Sequence, residues 1–249
     1  MVTKVPLEDV VEIADNPEPR CPCVLLLDTS NSMAGDRLAT LNAGMQTLRD
    51  DLVKDAVSAR RVEVAVVTFS SQVLVVQDFV TVNKFHPPVL TASGNTHMAG
   101  GIERALNLID ARKKVYRRTG VTYYRPWVFM ITDGQPEGES KAAVERAAQR
   151  LRAAEEAKAV AFFAVAVEGA DMRRLSEIVV RTPLELEGLD FQGLFLWLSA
   201  SMQSVSKSQP GDKVVLPPMG WIKRIALFIK ENEDEIRTGI RITKAVLGY

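Results

Sequence analysis

The stretch "LLLDTSNSMAGDR", Leu25–Arg37, decides how the rest of the chain is read. An apolar run from Val24 to Leu27 drives straight into an acid, Asp28. Oxygen side chains then stand at every second position: Asp28, Ser30 and Ser32. Small residues follow, and a long helical pattern begins. In an extended segment residues i, i+2 and i+4 face one side, so the three oxygens are expected on one face where a buried strand surfaces.

Working outward, Cys23–Leu27 is a short apolar run behind "PEPRCP" and reads as a buried strand. Arg37–Val53 places Leu38, Leu41, Met45, Leu48 and Leu52 at helical spacing, with Asp36 as its expected N-cap. Val62–Phe69 (VEVAVVTF) is rich in β-branched residues and reads as a strand. Gln72–Val76 reads as a second strand, and the short Ser70-Ser71 link makes the pair an antiparallel hairpin. "TASGNTHMAGG" is a small-residue loop feeding a helix from Met98 to Lys114, with Ile102, Leu106 and Ile109 as its apolar stripe. After the basic, aromatic stretch "YRRTGVTYYRP", Trp127–Ile131 is a continuous apolar strand ending in Thr132-Asp133-Gly134. Lys141–Lys158 reads as a helix, Val160–Val167 as another buried strand, and Asp171–Val180 and Phe191–Ser206 as two more helices.

Strands that are apolar throughout, alternating with helices, predict an α/β domain with a doubly wound, mostly parallel central sheet. The hairpin supplies one antiparallel edge strand, and helices cover both faces. The domain is expected to occupy residues 1–208, including a short N-terminal arm. The Pro/Gly-rich "SQPGDKVVLPPMGW" marks a linker or terminal arm over 209–221. Residues 222–249 carry Ile222, Ile225, Ile229, Ile236 and Ile240 around a polar KENEDE block. They read as a helical segment packing on the domain or on another subunit, or serving assembly.

Composition bounds the partners and the compartment. The chain has 249 residues, a size that suits one large α/β domain plus an appendage. Lys+Arg and Asp+Glu are both 31, and a net charge of zero argues against a dedicated nucleic-acid binder. The two cysteines, Cys21 and Cys23, are one residue apart and cannot staple distant segments. A reducing, cytoplasmic location is therefore expected. The first twenty residues contain no continuous apolar core of a signal peptide, and no run is long enough for a membrane span.

In open α/β sheets ligands bind outside the carboxyl ends of the strands. Two strand ends here carry acids, Asp28 and Asp133, and the "SGNTH" loop adds Thr96. Five oxygen donors, Asp28, Ser30, Ser32, Thr96 and Asp133, are thus expected at one rim. All are hard ligands, which suit Mg²⁺, Ca²⁺ or Mn²⁺ rather than zinc or copper. Two acids plus hydroxyls match the habit of Mg²⁺, which takes one or two carboxylates and keeps several waters. The plainer alternative is that these side chains cap turns and helices.

"DTSNSM" fits the D-x-S-x-S motif of von Willebrand factor A domains, their metal-ion-dependent adhesion site. "GNTHMAGGIERAL" resembles the family's threonine loop and following helix, and "ITDGQPEG" its second-aspartate strand end. Order and separation match over roughly Pro22–Ser208. The resemblance implies the family's Rossmann-like fold, with Asp28, Ser30 and Ser32 binding a metal directly or through water. It implies Thr96 as the ligand that engages or disengages, and Asp133 as a direct or water-bridged ligand. Asn31 departs from the family, where many relatives carry Gly, but at a position outside the ligand set. Within the family the chain looks most like bacterial TerY-type proteins linked to tellurium resistance and stress response.

The resemblance implies a non-enzymatic, metal-dependent protein-binding module. A partner's Asp or Glu carboxylate would complete the cation's shell, and kinase- or phosphatase-like proteins are the partners implied. Two other classes compete: a metal-dependent phosphoryl-transfer or hydrolytic enzyme, and a scaffold with a vestigial site. No G-x-x-x-x-G-K-[ST] loop is present, and no nucleophile stands in an evident pairing with a base. His97 is either a rim residue or an ordinary helix-start residue. Cys21 and Cys23 lack the partner ligands of a soft-metal site. Arg112–Arg125, basic and Tyr-rich, is a solvated helix end by default and a patch for acidic partners or nucleic acid as the alternative.

Overall fold

The computed structural model describes residue 13, residues 15–134 and residues 136–219. Six strands form its sheet: β1 (Cys21–Asp28), β2 (Val62–Phe69), β3 (Val73–Thr81), β4 (Trp127–Thr132), β5 (Ala161–Ala166) and β6 (Leu184–Glu185). Among the described residues six α-helices surround it: α1 (Asp36–Leu52), α2 (Ala56–Arg61), α3 (Met98–Thr119), α4 (Lys141–Glu156), α5 (Met172–Ile178) and α6 (Phe191–Lys207). The strand order is β3-β2-β1-β4-β5-β6. Only β2 and β3 pair antiparallel, at the edge. The other neighbours run parallel.

The continuous apolar strands follow from burial on both faces. Along β1, Cys21, Cys23, Leu25 and Leu27 face a core shared with α1 and α6. Val24 and Leu26 face the opposite core, shared with α3, α4 and α5. A strand packed from both sides has no face for polar residues. Each Val or Leu fully buried this way stabilises the fold by about 1.5–3 kcal/mol relative to exposure. Trp197, on α6, lies in the first of these cores, where its ring stands 6.1 Å from that of Phe129.

The sequence expectations need correction at several ends. Asp36 is not an N-cap: Gly35 takes that position at φ 79°, no side chain caps the turn, and Asp36 sits inside the first turn. Helix α3 runs on to Thr119, five residues beyond its expected end at Lys114, and stops where Gly120 adopts a left-handed φ of 72°. The edge strand β3 continues to Thr81. Helix α2 and the two-residue β6 carry too little periodicity to be read from sequence. Residues 209–219 lie along the domain: Leu216 is buried in the core, and Trp197 Nε1 donates to the Pro217 carbonyl at 2.8 Å. The helix expected over 222–249 lies outside the described residues.

Strand order places a candidate rim. The chain goes from β1 out to β2 and β3 on one side, then returns to lay β4, β5 and β6 on the other. The reversal point is the crevice between the carboxyl ends of β1 and β4, where α/β sheets bind ligands. Asp28 ends β1, and Asp133 follows β4 directly.

Candidate metal centre

Asp28 is fully buried at the end of β1. Its Oδ1 accepts the Ser30 backbone N–H at 2.9 Å, and its Oδ2 accepts the Thr132 hydroxyl at 2.6 Å. Neither partner is charged. Burial therefore dominates and pushes the carboxyl up from 3.8 to about 6. The hydrogen bonds from Ser30 and Thr132 oppose that shift, and the neighbouring Asp133 charge adds to it.

Ser30 and Ser32 do meet the same space, but not through strand alternation. After Ser30 the chain turns into a short 3₁₀ segment, Asn31–Met33. The Ser30 N–H to Asp28 bond starts that turn, as short acidic side chains favour. It brings the two hydroxyl oxygens within 3.0 Å of each other. Ser32 Oγ then donates to Asp133 Oδ1 at 2.8 Å. A connected chain of oxygens thus crosses from the β1 loop to the β4 loop.

Thr96 is buried on the third loop. Its carbonyl accepts the Glu137 N–H at 2.9 Å, tying the threonine loop to the segment after β4. The point where a Cβ on Gly134 would stand is 3.5 Å from Thr96 Oγ1 and 3.9 Å from Asp28 Oδ2. Gly134 therefore leaves a small space bordered by both. The five residues expected at one rim do gather there: four in the hydrogen-bonded set and Thr96 beside it.

Two residues outside the expected ligand set hold this rim. Arg37, on the first turn of α1, donates through Nη1 to Asp133 Oδ2 and to the Ser32 carbonyl, and through Nη2 to the Glu168 carbonyl beyond β5. Nothing local in "AGDRLATL" marks that reach. Asn31, the departure from the family motif, exchanges two bonds with Gly94: backbone N–H to carbonyl at 3.0 Å, and Gly94 N–H to Asn31 Oδ1 at 3.2 Å. The amide side chain thereby locks the first loop to the threonine loop.

Other residues singled out in the sequence take these places. His97 takes the N-cap position of α3 without a side-chain capping bond, and its backbone N–H donates to Ser70. Cys21 and Cys23 are buried, reduced thiols. Burial raises both, Cys23 to about 12, so neither is a thiolate near neutral pH. The basic stretch is not a solvated patch throughout. Arg112 turns inward to Glu63, as does Tyr116, and Arg125 pairs with Glu155 at 2.8 Å.

The donor set fits a divalent cation. Two carboxylates and three hydroxyls, one of the acids desolvated without a charged partner, are what a hard ion would offset. Among the described residues no three His, Cys, Asp or Glu side chains cluster as a metal site. Nor is any helix long and apolar enough to cross a membrane.

Comparison with known proteins identifies the fold. The family model for the von Willebrand factor type A domain matches residues 23–185. A von Willebrand factor type A protein from Catenulispora acidiphila is 17% identical, with a TM-score of 0.54, over 75% of this chain and 43% of that one. Proximal thread matrix protein 1 from the mussel byssus is 15% identical at a TM-score of 0.51, over 76% and 49%. The pilus adhesin SpaC from Lactobacillus rhamnosus GG is 12% identical at 0.58, over 77% and 32%. At these identities the likeness is one of fold. The chain spans less than half the length of each of these proteins. No curated protein matches the sequence.

Proposed function

Because the chain belongs to the von Willebrand factor type A domain family, we propose that its rim is a cation-dependent docking site for a protein partner. The observation that carries this is the meeting of Asp28, Ser30, Ser32, Thr96 and Asp133, from three separate loops, at the β1/β4 crevice. These five residues would hold Mg²⁺, Mn²⁺ or Ca²⁺. Bound there, the cation supplies a concentrated charge with an open position for a partner's Asp or Glu carboxylate. Ser30, Ser32 and Thr96 contribute oxygens without negative charge, which keeps the site attractive to that carboxylate. Thr132 and the Ser30 N–H orient Asp28, and Ser32 orients Asp133.

Binding is favoured over catalysis by the way the hydroxyls are used. Ser30 bonds to Ser32, and Ser32 to Asp133, so neither is set against a histidine base. The TerY-like motifs extend the proposal to a setting: a bacterial, cytoplasmic stress-response complex with a kinase- or phosphatase-like partner. Residues 1–208 would act as the binding domain and residues 209–221 as its arm.

Titration calorimetry with Mg²⁺, Mn²⁺ and Ca²⁺, on the parent and on Asp28→Ala, tests the reading. Saturable one-site binding by the parent, lost in the variant, is expected. Undiminished binding in Asp28→Ala, or no binding by the parent even with added acetate, would refute it.

A further inference from the structure

Arg37 is the one cation in direct contact with the rim residues among the described side chains, and its position is unusual for a surface arginine. It stands on α1 with its side chain about one-third exposed (34%). Yet the guanidinium converges on three separate loops: the Ser32 carbonyl at 3.1 Å, the Asp133 carboxylate, and the Glu168 carbonyl at 3.1 Å. Asp133 is thereby held from both sides, Oδ1 by the Ser32 hydroxyl and Oδ2 by Arg37. A fixed planar fork suits this multi-point hold.

The charge balance follows. Asp28 and Asp133 together would give a divalent ion a formally neutral complex, whose open position draws an anion only at short range. Arg37 offsets one of those charges, so that the loaded rim keeps one net positive charge. We propose that Arg37 is a specificity-determining residue of the rim: it weakens cation binding and tunes the loaded site to a single carboxylate. Neutralising Asp133 lowers the affinity for the ion. The same positive charge, at the mouth of the site, strengthens the hold on the partner's acid. This inference rests on the cation-site reading above and adds to it a trade-off between the two ligands.

The trade-off is measurable on the full chain with Mn²⁺ and acetate as probes. Calorimetry and the Mn²⁺ spin-resonance signal give the ion's affinity for the parent, Arg37→Gln and Arg37→Lys. Acetate titrated into each Mn²⁺-loaded protein gives the anion's. Arg37→Gln is expected to bind Mn²⁺ about tenfold tighter, the scale of a unit charge acting on a divalent ion at several ångströms through a water-like dielectric. Its loaded form is expected to bind acetate several-fold more weakly. Arg37→Lys keeps the charge and is expected to stay near the parent for both. Unchanged or weaker Mn²⁺ binding by Arg37→Gln, or unchanged acetate binding by its loaded form, overturns the inference while leaving the cation site standing. Silence toward Mn²⁺ from every variant overturns the cation site itself and this inference with it.

Discussion

Asp28 makes the rim costly to the fold in a way that can be measured. Its carboxyl is raised from 3.8 to about 6, chiefly by burial. An acid raised in the folded state favours folding fully only below its unfolded value, where both states hold the proton. That contribution is lost as pH rises through about 6. Near pH 7.5 without metal, the parent therefore carries the whole cost of a desolvated charge. Two pKa units correspond to about 3 kcal/mol. Asp28→Asn removes the charge and keeps the shape: the amide oxygen still accepts from the Ser30 N–H, and the Thr132 hydroxyl can rotate to accept from the amide. In EDTA near pH 7.5, urea unfolding should find Asp28→Asn more stable by up to about 3 kcal/mol, with the gap closing toward pH 3.5. Saturating Mg²⁺ should reverse the order. A ligand at a thousandfold excess over its Kd adds about 4.1 kcal/mol to the protein that binds it, more than the gap of about 3 kcal/mol, and the variant should gain nothing. An Asp28→Asn protein less stable than the parent in EDTA near pH 7.5 would refute the reasoning. So would a gap that ignores pH.

Three further expectations concern the body of the fold. Glu63 lies between Arg20 at 2.9 Å and Arg112 at 2.8 Å, all buried, so Glu63→Gln removes the carboxylate charge that both guanidinium groups face and should cost about 3–5 kcal/mol in chemical denaturation; a loss under about 1 kcal/mol would contradict the pairing. Gly44 is where α1 meets α6: an added Cβ would stand 2.4 Å from the Phe195 ring, so Gly44→Ala should destabilise by about 1–3 kcal/mol despite better helix propensity, and a rise in melting temperature would contradict it. Cys21 and Cys23 should resist a thiol reagent near pH 8 in the folded protein and both react in denaturant; stoichiometric labelling of the native chain would show that burial is misjudged.

Much of this molecule was legible in the sequence, for a physical reason. Strands buried on both faces are written as unbroken apolar runs, so Val62–Phe69 agrees residue for residue and Trp127–Thr132 to one residue. Asp28, Ser30, Ser32, Thr96 and Asp133 were visible because an acid at the end of such a run has few reasons to be there. What stayed hidden depends on partners distant in sequence. Arg37 meets Asp133 across 96 residues, and Glu63 meets Arg112 across 49. Charges that look solvated along "ARKKVYRR" belong instead to a helix that continues past them and turns some of them inward. Asp36 looked like a cap because short acids usually are, but Gly35, with its positive φ, makes the entry to α1. The pairing of Ser30 with Ser32 arises from a turn rather than from strand periodicity, so the expected outcome had a different cause.

The central claim is that these five oxygens hold a hard cation. Its most direct test is a crystal soaked in Mn²⁺, with anomalous diffraction recorded at the manganese edge. The account predicts one anomalous peak at the β1/β4 crevice, within coordinating distance of oxygens from Asp28, Ser30 and Ser32, with Thr96 and Asp133 in its first or water-bridged shell. A rim without a peak in well-ordered, Mn²⁺-saturated crystals, or a peak only at sites away from Asp28, would contradict it.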